Sequence, residues 1–245
     1  MAAVTAIVAA LALAAHRGPA YATLMAAAVL TGQLFVGWNN DLVDAAEDRR
    51  QGRADKPLAT GQVSERATRR AGYAALALTI PLSIATGLVS GLAHLTAVAA
   101  ATAYNNRLKR TALSVVPYAL AFGLVPAFIT GGPPITHAPP LWATAAAALL
   151  GAGAHFTQTL TGLEGLPKRI GPTATIVAGP ILMVAAAAII AAGPAHAYVG
   201  LAAAAITCIG VVGAAAAGLP KLAFRLALLT AAAVVATVVA SGARF

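Results

Sequence analysis

The sequence predicts an all-α polytopic membrane protein, a helical bundle of about nine transmembrane helices around a central cavity. Three observations carry this prediction. Sixty per cent of the 245 residues are hydrophobic and nine per cent are charged, against about 25% charged in an ordinary soluble domain. Apolar stretches of roughly 20 residues recur, and each is long enough to cross a bilayer as a helix. Alanine is abundant and aromatic residues make up only 5%, so helices can approach closely through small side chains. No polar linker divides the chain, and residues 1–245 are expected to form a single transmembrane domain.

Nine segments read as spans: 2–15, 19–40, 70–89, 91–105, 112–130, 141–161, 172–192, 195–217 and 220–241. The first is short for a full crossing, the length of a truncated start or of a wrongly chosen initiator Met. It has no basic flank like that of a signal peptide, and the chain goes on to cross repeatedly. Arg17-Gly18-Pro19 opens the second segment, which closes in an acidic stretch, Asn39–Asp48. Ser90-Gly91 separates the third and fourth. The later breaks are Gly131-Gly132-Pro133-Pro134, Gly171-Pro172, Gly193-Pro194 and Gly218-Leu219-Pro220, all helix-stopping combinations. Pro81, Pro117, Pro126 and Pro180 fall inside spans and are expected to kink them.

With this count, connections 2–3, 4–5, 6–7 and 8–9 lie on one side. Of the sixteen basic residues only Arg17 and Arg244 fall elsewhere. The positive-inside rule makes that side cytoplasmic, with the N-terminus inside and the C-terminus outside. All seven acidic residues share it. The expectation is an integral, multi-pass protein of an inner or plasma membrane whose chemistry faces the cytoplasm. The net charge of +9 does not point to nucleic acid, because the cations are dispersed over short loops between spans. The one cysteine, Cys208, lies in an apolar segment and reads as a small buried hydrophobe.

Asp41, Asp44 and Asp48 are spaced i, i+3 and i+7, a single helical stripe. Carboxylates this close repel one another unless a cation sits between them. Mg²⁺ takes oxygen ligands and is typically held by one or two carboxylates together with substrate phosphates and water. Asn40 adds a neutral oxygen, and Asn40, Asp41, Asp44 and Asp48 are the candidate metal ligands. The bland alternative is a solvated, salt-bridged helix end, with Asp48 facing nearby arginines. Ionisable groups at membrane depth are costly, however, and mark functional sites. Arg49, Arg50, Arg53 and Lys56 are topology determinants, or one or two of them close over a phosphate. The same two readings hold for Tyr104-Asn105-Asn106-Arg107-Leu108-Lys109-Arg110, whose cations suit a helix C-terminus and also a diphosphate.

Asn40-Asp41-x-x-Asp44-x-x-x-Asp48, the arginines after it, and Asp55-Lys56-Pro57-Leu58-Ala59-Thr60-Gly61 together resemble the first aspartate-rich motif of the UbiA superfamily of intramembrane prenyltransferases. Tyr104-Asn-x-x-Leu108-Lys109-Arg110 resembles a second landmark, and the nine-span layout agrees over nearly the whole chain. The resemblance implies a prenyl diphosphate bound with Mg²⁺ at the cytoplasmic rim and its tail in an apolar cavity. Ionisation would give an allylic cation that a lipophilic, often aromatic acceptor captures. It implies that Asn40, Asp41, Asp44 and Asp48 hold Mg²⁺–diphosphate, and that Arg53, Lys56, Tyr104, Lys109 and Arg110 contact the diphosphate.

The family's second aspartate motif has no counterpart here. The matching stretch, His155 to Arg169, contains no aspartate and is shortened between Leu163 and Leu166. Gln158, Thr161 and Glu164, at i, i+3 and i+6, are its candidate oxygen donors, two of them neutral. His155 is a base, an acceptor contact or a structural histidine. His16, His94, His137 and His196 show no i, i+4 metal pairing. Tyr104 and Tyr118 can line a cavity and face a cation. Three functions compete: a prenyltransferase, a UbiA-type terpene cyclase that needs no acceptor, and a non-catalytic membrane protein such as a degenerate member or a transporter. Transporter sites usually lie near the bilayer midplane rather than at one rim.

Overall fold

The computed structural model describes residues 2–134, 136–193 and 198–240. His196 and Arg244 lie outside the described residues. Among those described, the regular structure is helical throughout. The helices are α1 (Ala2–Ala14), α2 (Pro19–Arg50), α3 (Glu65–Ala85), α4 (Leu88–Asn106), α5 (Val116–Gly123), α6 (Val125–Thr130), α7 (Leu141–Gln158), α8 (Gly165–Ile170), α9 (Pro172–Ala192), α10 (Tyr198–Ala216) and α11 (Pro220–Ala240). Neighbours pack as α1–α2–α3–α4, then α4–α5–α7–α9–α10–α11, and α11 returns to α1 to close the bundle. By length and composition α2, α9, α10 and α11 each suffice to cross a membrane. Large apolar side chains on their outer faces, such as Ile206 at 70% and Ile209 at 74% exposure, suit lipid rather than water.

α2 departs most from its expected bounds. It starts at Pro19 after Gly18 and continues ten residues past 40 to Arg50. Its 32 residues span about 48 Å at 1.5 Å per residue. A bilayer's hydrocarbon core is about 30 Å thick, so one end of α2 must project beyond it, and that end carries Asp41, Asp44 and Asp48. Arg49 and Arg50 occupy its last turn, where the helix dipole favours cations.

The fifth expected span is two short helices. Pro126 lacks the N–H that would bond back to Phe122 O, and its ring crowds that carbonyl, so the helix breaks at Leu124. Pro117 likewise sits in a first turn, where proline is tolerated. Pro81 and Pro180, in contrast, lie within continuous helices.

The interior holds two apolar clusters. One gathers Leu150, Met183, Ile190, Val211 and Val234 from α7, α9, α10 and α11. The other gathers Val8, Met25, Phe128 and Ile129 from α1, α2 and α6. A wholly apolar cleft of about 70 Å³ lies where they meet, lined by Leu11, Ile129, Trp142, Ala146, Leu150, Ile190 and Val234, among others. At the end of the bundle away from the acids, Arg17 Nη1 donates to Gly132 O at 2.7 Å, and the Tyr21 hydroxyl donates to Thr86 O. Cys208 is buried against the Pro180 carbonyl. His94 bonds Ser83 and stacks on Phe128 at 4.9 Å, a structural role.

Helices α7 and α9 meet through facing glycines. A Cβ added at Gly153 would lie 2.9 Å from Gly179 O and 2.8 Å from Met183 Cγ. Gly153→Val should therefore destabilise the protein by about 1–3 kcal/mol. Gly213→Ala, at a position with nothing within 4 Å, should not. Thermal melting of the detergent-purified variants checks both.

Candidate active site

Each carboxylate of the α2 stripe faces a cation brought from elsewhere in the chain. Asp41 Oδ1 receives Lys56 Nζ at 2.7 Å. Asp44 Oδ1 receives Lys109 Nζ in the most enclosed of these pairs, with the lysine side chain 9% and the aspartate 22% exposed. Asp48 lies 3.9 Å from Arg53 Nη1 and is buried. The loop between α2 and α3 supplies Arg53 and Lys56. Leu58, buried in that loop, pins it against the bundle, and Ser64 ends it by capping α3, accepting from Ala67 N–H at 3.2 Å. Lys109 sits in a 3-10 turn just past α4.

Arg53 also grips Asp55 in a fork, with Nε and Nη2 each 2.9 Å from a carboxylate oxygen. That hydrogen-bonded fork lowers the Asp55 carboxyl from its ordinary 3.8 to about 2. A depressed carboxyl contributes its stabilisation above its unfolded pKa. The contribution is lost as the pH falls from about 4 through 2. Glu47 pairs with Arg50 at 2.5 Å and Glu65 with Arg49 at 2.9 Å, both on the outer surface.

Two residues quoted from the motif but given no role prove to hold its parts together. Asn105 Nδ2 donates to Val36 O of α2 at 3.0 Å, and Asn106 Nδ2 donates to Asn39 Oδ1 at 3.3 Å. They clamp the end of α4 to α2 and so set Lys109 opposite Asp44. Capped polar residues after an apolar run signal a helix end but not its partner. Asn40 is half-buried beside Asp41, and Arg110 is exposed.

Tyr104 lies within electrostatic range of Asp44 and Glu164. Its ring meets Tyr118 edge-on at 5.0 Å and His155 at 5.8 Å. Tyr118 in turn donates to Gln158 Oε1 at 2.7 Å. His155 is fully buried. Ser114 Oγ is 3.0 Å from His155 Nε2 and accepts Leu166 N–H at 3.0 Å.

The expected stripe of Gln158, Thr161 and Glu164 does not form. α7 ends at Gln158, Thr161 lies in a 3-10 turn, and Gly162 and Glu164 are extended. Gly162, in extended conformation, stops the helical repeat before Glu164. Gln158 accepts from the Tyr118 hydroxyl, and Thr161 donates to the Gln158 carbonyl.

Among the described residues no three His, Cys, Asp or Glu side chains converge as a closed metal cage. The oxygen set of Asp41, Asp44 and Asp48 nevertheless fits Mg²⁺, which needs only one or two protein carboxylates alongside phosphate and water. Neither the apolar cleft nor a hollow of about 200 Å³ beside Asn39, Arg69 and Tyr73 is lined by these three aspartates. What stands before each of them is a cation.

A helical bundle with an apolar interior and an acid-and-cation rim at one end defines a class of intramembrane transferases. Residues 2–240 match the UbiA prenyltransferase family, and the chain belongs to it. The family consists of integral membrane prenyltransferases, which generally use a divalent metal. The fold is similar to that of a UbiA homolog from Aeropyrum pernix K1, solved in its apo form. Identity is 23%, 96% of each chain is covered and the TM-score is 0.78. It is also similar to a structure of digeranylgeranylglyceryl phosphate synthase, at 16% identity, with 98% of this chain and 92% of that one covered and a TM-score of 0.65. No curated protein matches the chain.

Asp44→Asn leaves the Lys109 ammonium enclosed without its counter-charge and should destabilise the fold by about 2–3 kcal/mol. Adding Lys109→Met removes the stranded charge. The double variant should melt above Asp44→Asn alone, whereas simple additivity would mean that the two groups are not coupled.

Proposed function

We propose that this chain moves a prenyl group from a prenyl diphosphate to a lipophilic or aromatic acceptor, with its active site facing the cytoplasm. The observation that carries the reading is the α2 carboxylate stripe and the three cations set against it, two from the α2–α3 loop and one from the turn after α4. Those cations balance the carboxylates when no diphosphate is present. Arrival of a diphosphate gives them new partners, and arginine and lysine both exchange readily between carboxylate and phosphate oxygens. Asp41, Asp44 and Asp48, with Asn40, would hold Mg²⁺, which when bound supplies charge neutralisation to the departing diphosphate.

The chain's own groups account for the rest. Lys56, Lys109 and Arg53 hold phosphate oxygens, with Arg110 at the open edge. Tyr104 and Tyr118 offer ring faces beside the position of the allylic carbon and exclude water from it. The tail follows α7 from His155 towards Trp142, about 20 Å along the helix, into the apolar cleft. The abundance of cations at this end places it inside by the positive-inside rule, and residues 1–245 act as one unit.

A second reading, terpene cyclisation of the same substrate class, is favoured by one observation. Gln158, Thr161 and Glu164 lie on no common helix, and with one carboxylate among them they form no second acidic ligand set. One assay separates the two. Purified protein receives Mg²⁺ and prenyl diphosphates of graded length, with and without aromatic acceptors. The transferase releases diphosphate only with an acceptor; the cyclase releases it alone and yields a cyclic hydrocarbon or alcohol. Asp41→Ala and Asp44→Ala should each lower turnover at least about 100-fold. Near-normal rates in both would remove them from the site. Removal of Mg²⁺ with EDTA should abolish diphosphate release in the parent protein.

A further inference from the structure

The hollow of about 200 Å³ between α2, α3 and the end of α4 has no part in the chemistry proposed above. Asn39, Arg69, Tyr73 and Asn106 are its polar walls. One water needs about 10–15 Å³ on the same measure, so the space suits a larger group. No carboxylate lines it, and Arg69 forms no ion pair among the described residues. Arg49, Arg50, Arg53, Lys56 and Lys109, in contrast, each face one.

The polar walls mostly donate. Asn39 Oδ1 accepts from Asn106 Nδ2 at 3.3 Å, which leaves the Asn39 amide hydrogens to give. Arg69 adds a guanidinium with donors alone, and Tyr73 adds a hydroxyl. Donors gathered about one unpaired cation suit phosphate oxygens, which only accept.

The apolar surface fixes the other end of the ligand. Phe35, Leu42 and Val43 line the hollow beside those donors. On α3, Arg69, Tyr73, Ile80 and Ile84 are spaced i, i+4, i+11 and i+15, a single stripe of the helix. Tyr73, Ile80 and Ile84 are all exposed. The stripe therefore runs from a cation through an amphipathic ring to hydrocarbon. Tyrosine settles at the headgroup level of a bilayer, and basic pockets between helices take anionic lipid heads. A free phosphate ion would use only the Arg69 end of this surface.

We propose that this hollow binds an anionic phospholipid from the leaflet at the acidic end of the bundle. Its phosphate lies on Arg69 and the Asn39 amide, and one acyl chain follows Tyr73, Ile80 and Ile84. The lipid joins α3 to the Asn39–Asn106 contact that clamps α4 to α2. The site is separate from the carboxylate stripe and does not depend on the transferase reading.

The test titrates the full chain, purified in detergent, with phosphatidylglycerol and with phosphatidylcholine, whose choline cancels the phosphate charge. Native mass spectrometry counts the bound lipid. Phosphatidylglycerol should bind at least about fivefold more tightly. Arg69→Gln should remove that preference. Arg70→Gln should keep it, because Arg70 is exposed on the same helix but adjacent residues do not share a face. Inorganic phosphate, followed by equilibrium dialysis, should bind more weakly than phosphatidylglycerol. Three results would each overturn the proposal: equal retention of the two lipids, equal loss in both variants, or phosphate binding as tight as the lipid's. The second would mean attraction to the basic surface as a whole, and the third an ion site without a lipid. The lipid comparison needs only the parent protein, so a variant that fails to fold leaves it standing.

Discussion

Three carboxylates on one stripe of a helix, at the edge of an apolar bundle, cannot be left uncompensated. Taking a charge out of water costs several kcal/mol, and neighbouring charges of the same sign add to it. The chain answers by recruiting Arg53 and Lys56 from the α2–α3 loop and Lys109 from the turn beyond α4. That demand explains much of the surrounding architecture. The α2–α3 loop folds back and buries Leu58 so that Lys56 reaches Asp41. The end of α4 is clamped by Asn105 and Asn106 so that Lys109 reaches Asp44.

The same pairings bear on chemistry. On the proposed reading, a metal–diphosphate would exchange contacts with carboxylates and cations that are already matched, which keeps the reorganisation small. The apolar remainder of the bundle offers nothing polar to compete. Its helices approach through alanine and glycine, as at Gly153 and Gly179, and the apolar cleft between the two clusters is lined by hydrocarbon.

Much of this was legible in the chain. Composition gave the fold class, and the nine apolar segments correspond to helical stretches among the described residues. The i, i+3, i+7 spacing put Asp41, Asp44 and Asp48 on one face because α2 is a single uninterrupted helix. The same kind of spacing failed for Gln158, Thr161 and Glu164, because the chain turns extended at Gly162 and Glu164 lies beyond the helical turn. The break between α5 and α6 was visible as Pro126 but read as a kink. Proline alone does not distinguish a bent helix from two helices, and tertiary packing decides. The pairing of Asp48 with a nearby arginine was legible, but that of Asp44 with Lys109 was not, since those two residues lie 65 apart.

Gly165 has a left-handed backbone, with φ of 59°. A side chain there would lie 2.5 Å from the Lys109 carbonyl. Its neighbour Leu166 is tied through Ser114 to His155. The turn bearing Lys109 and the start of α8 are thus riveted at one point and must travel as a single piece. On the proposed reading, an anion held by Lys109 would press on the same support that carries α8 and the His155 imidazole.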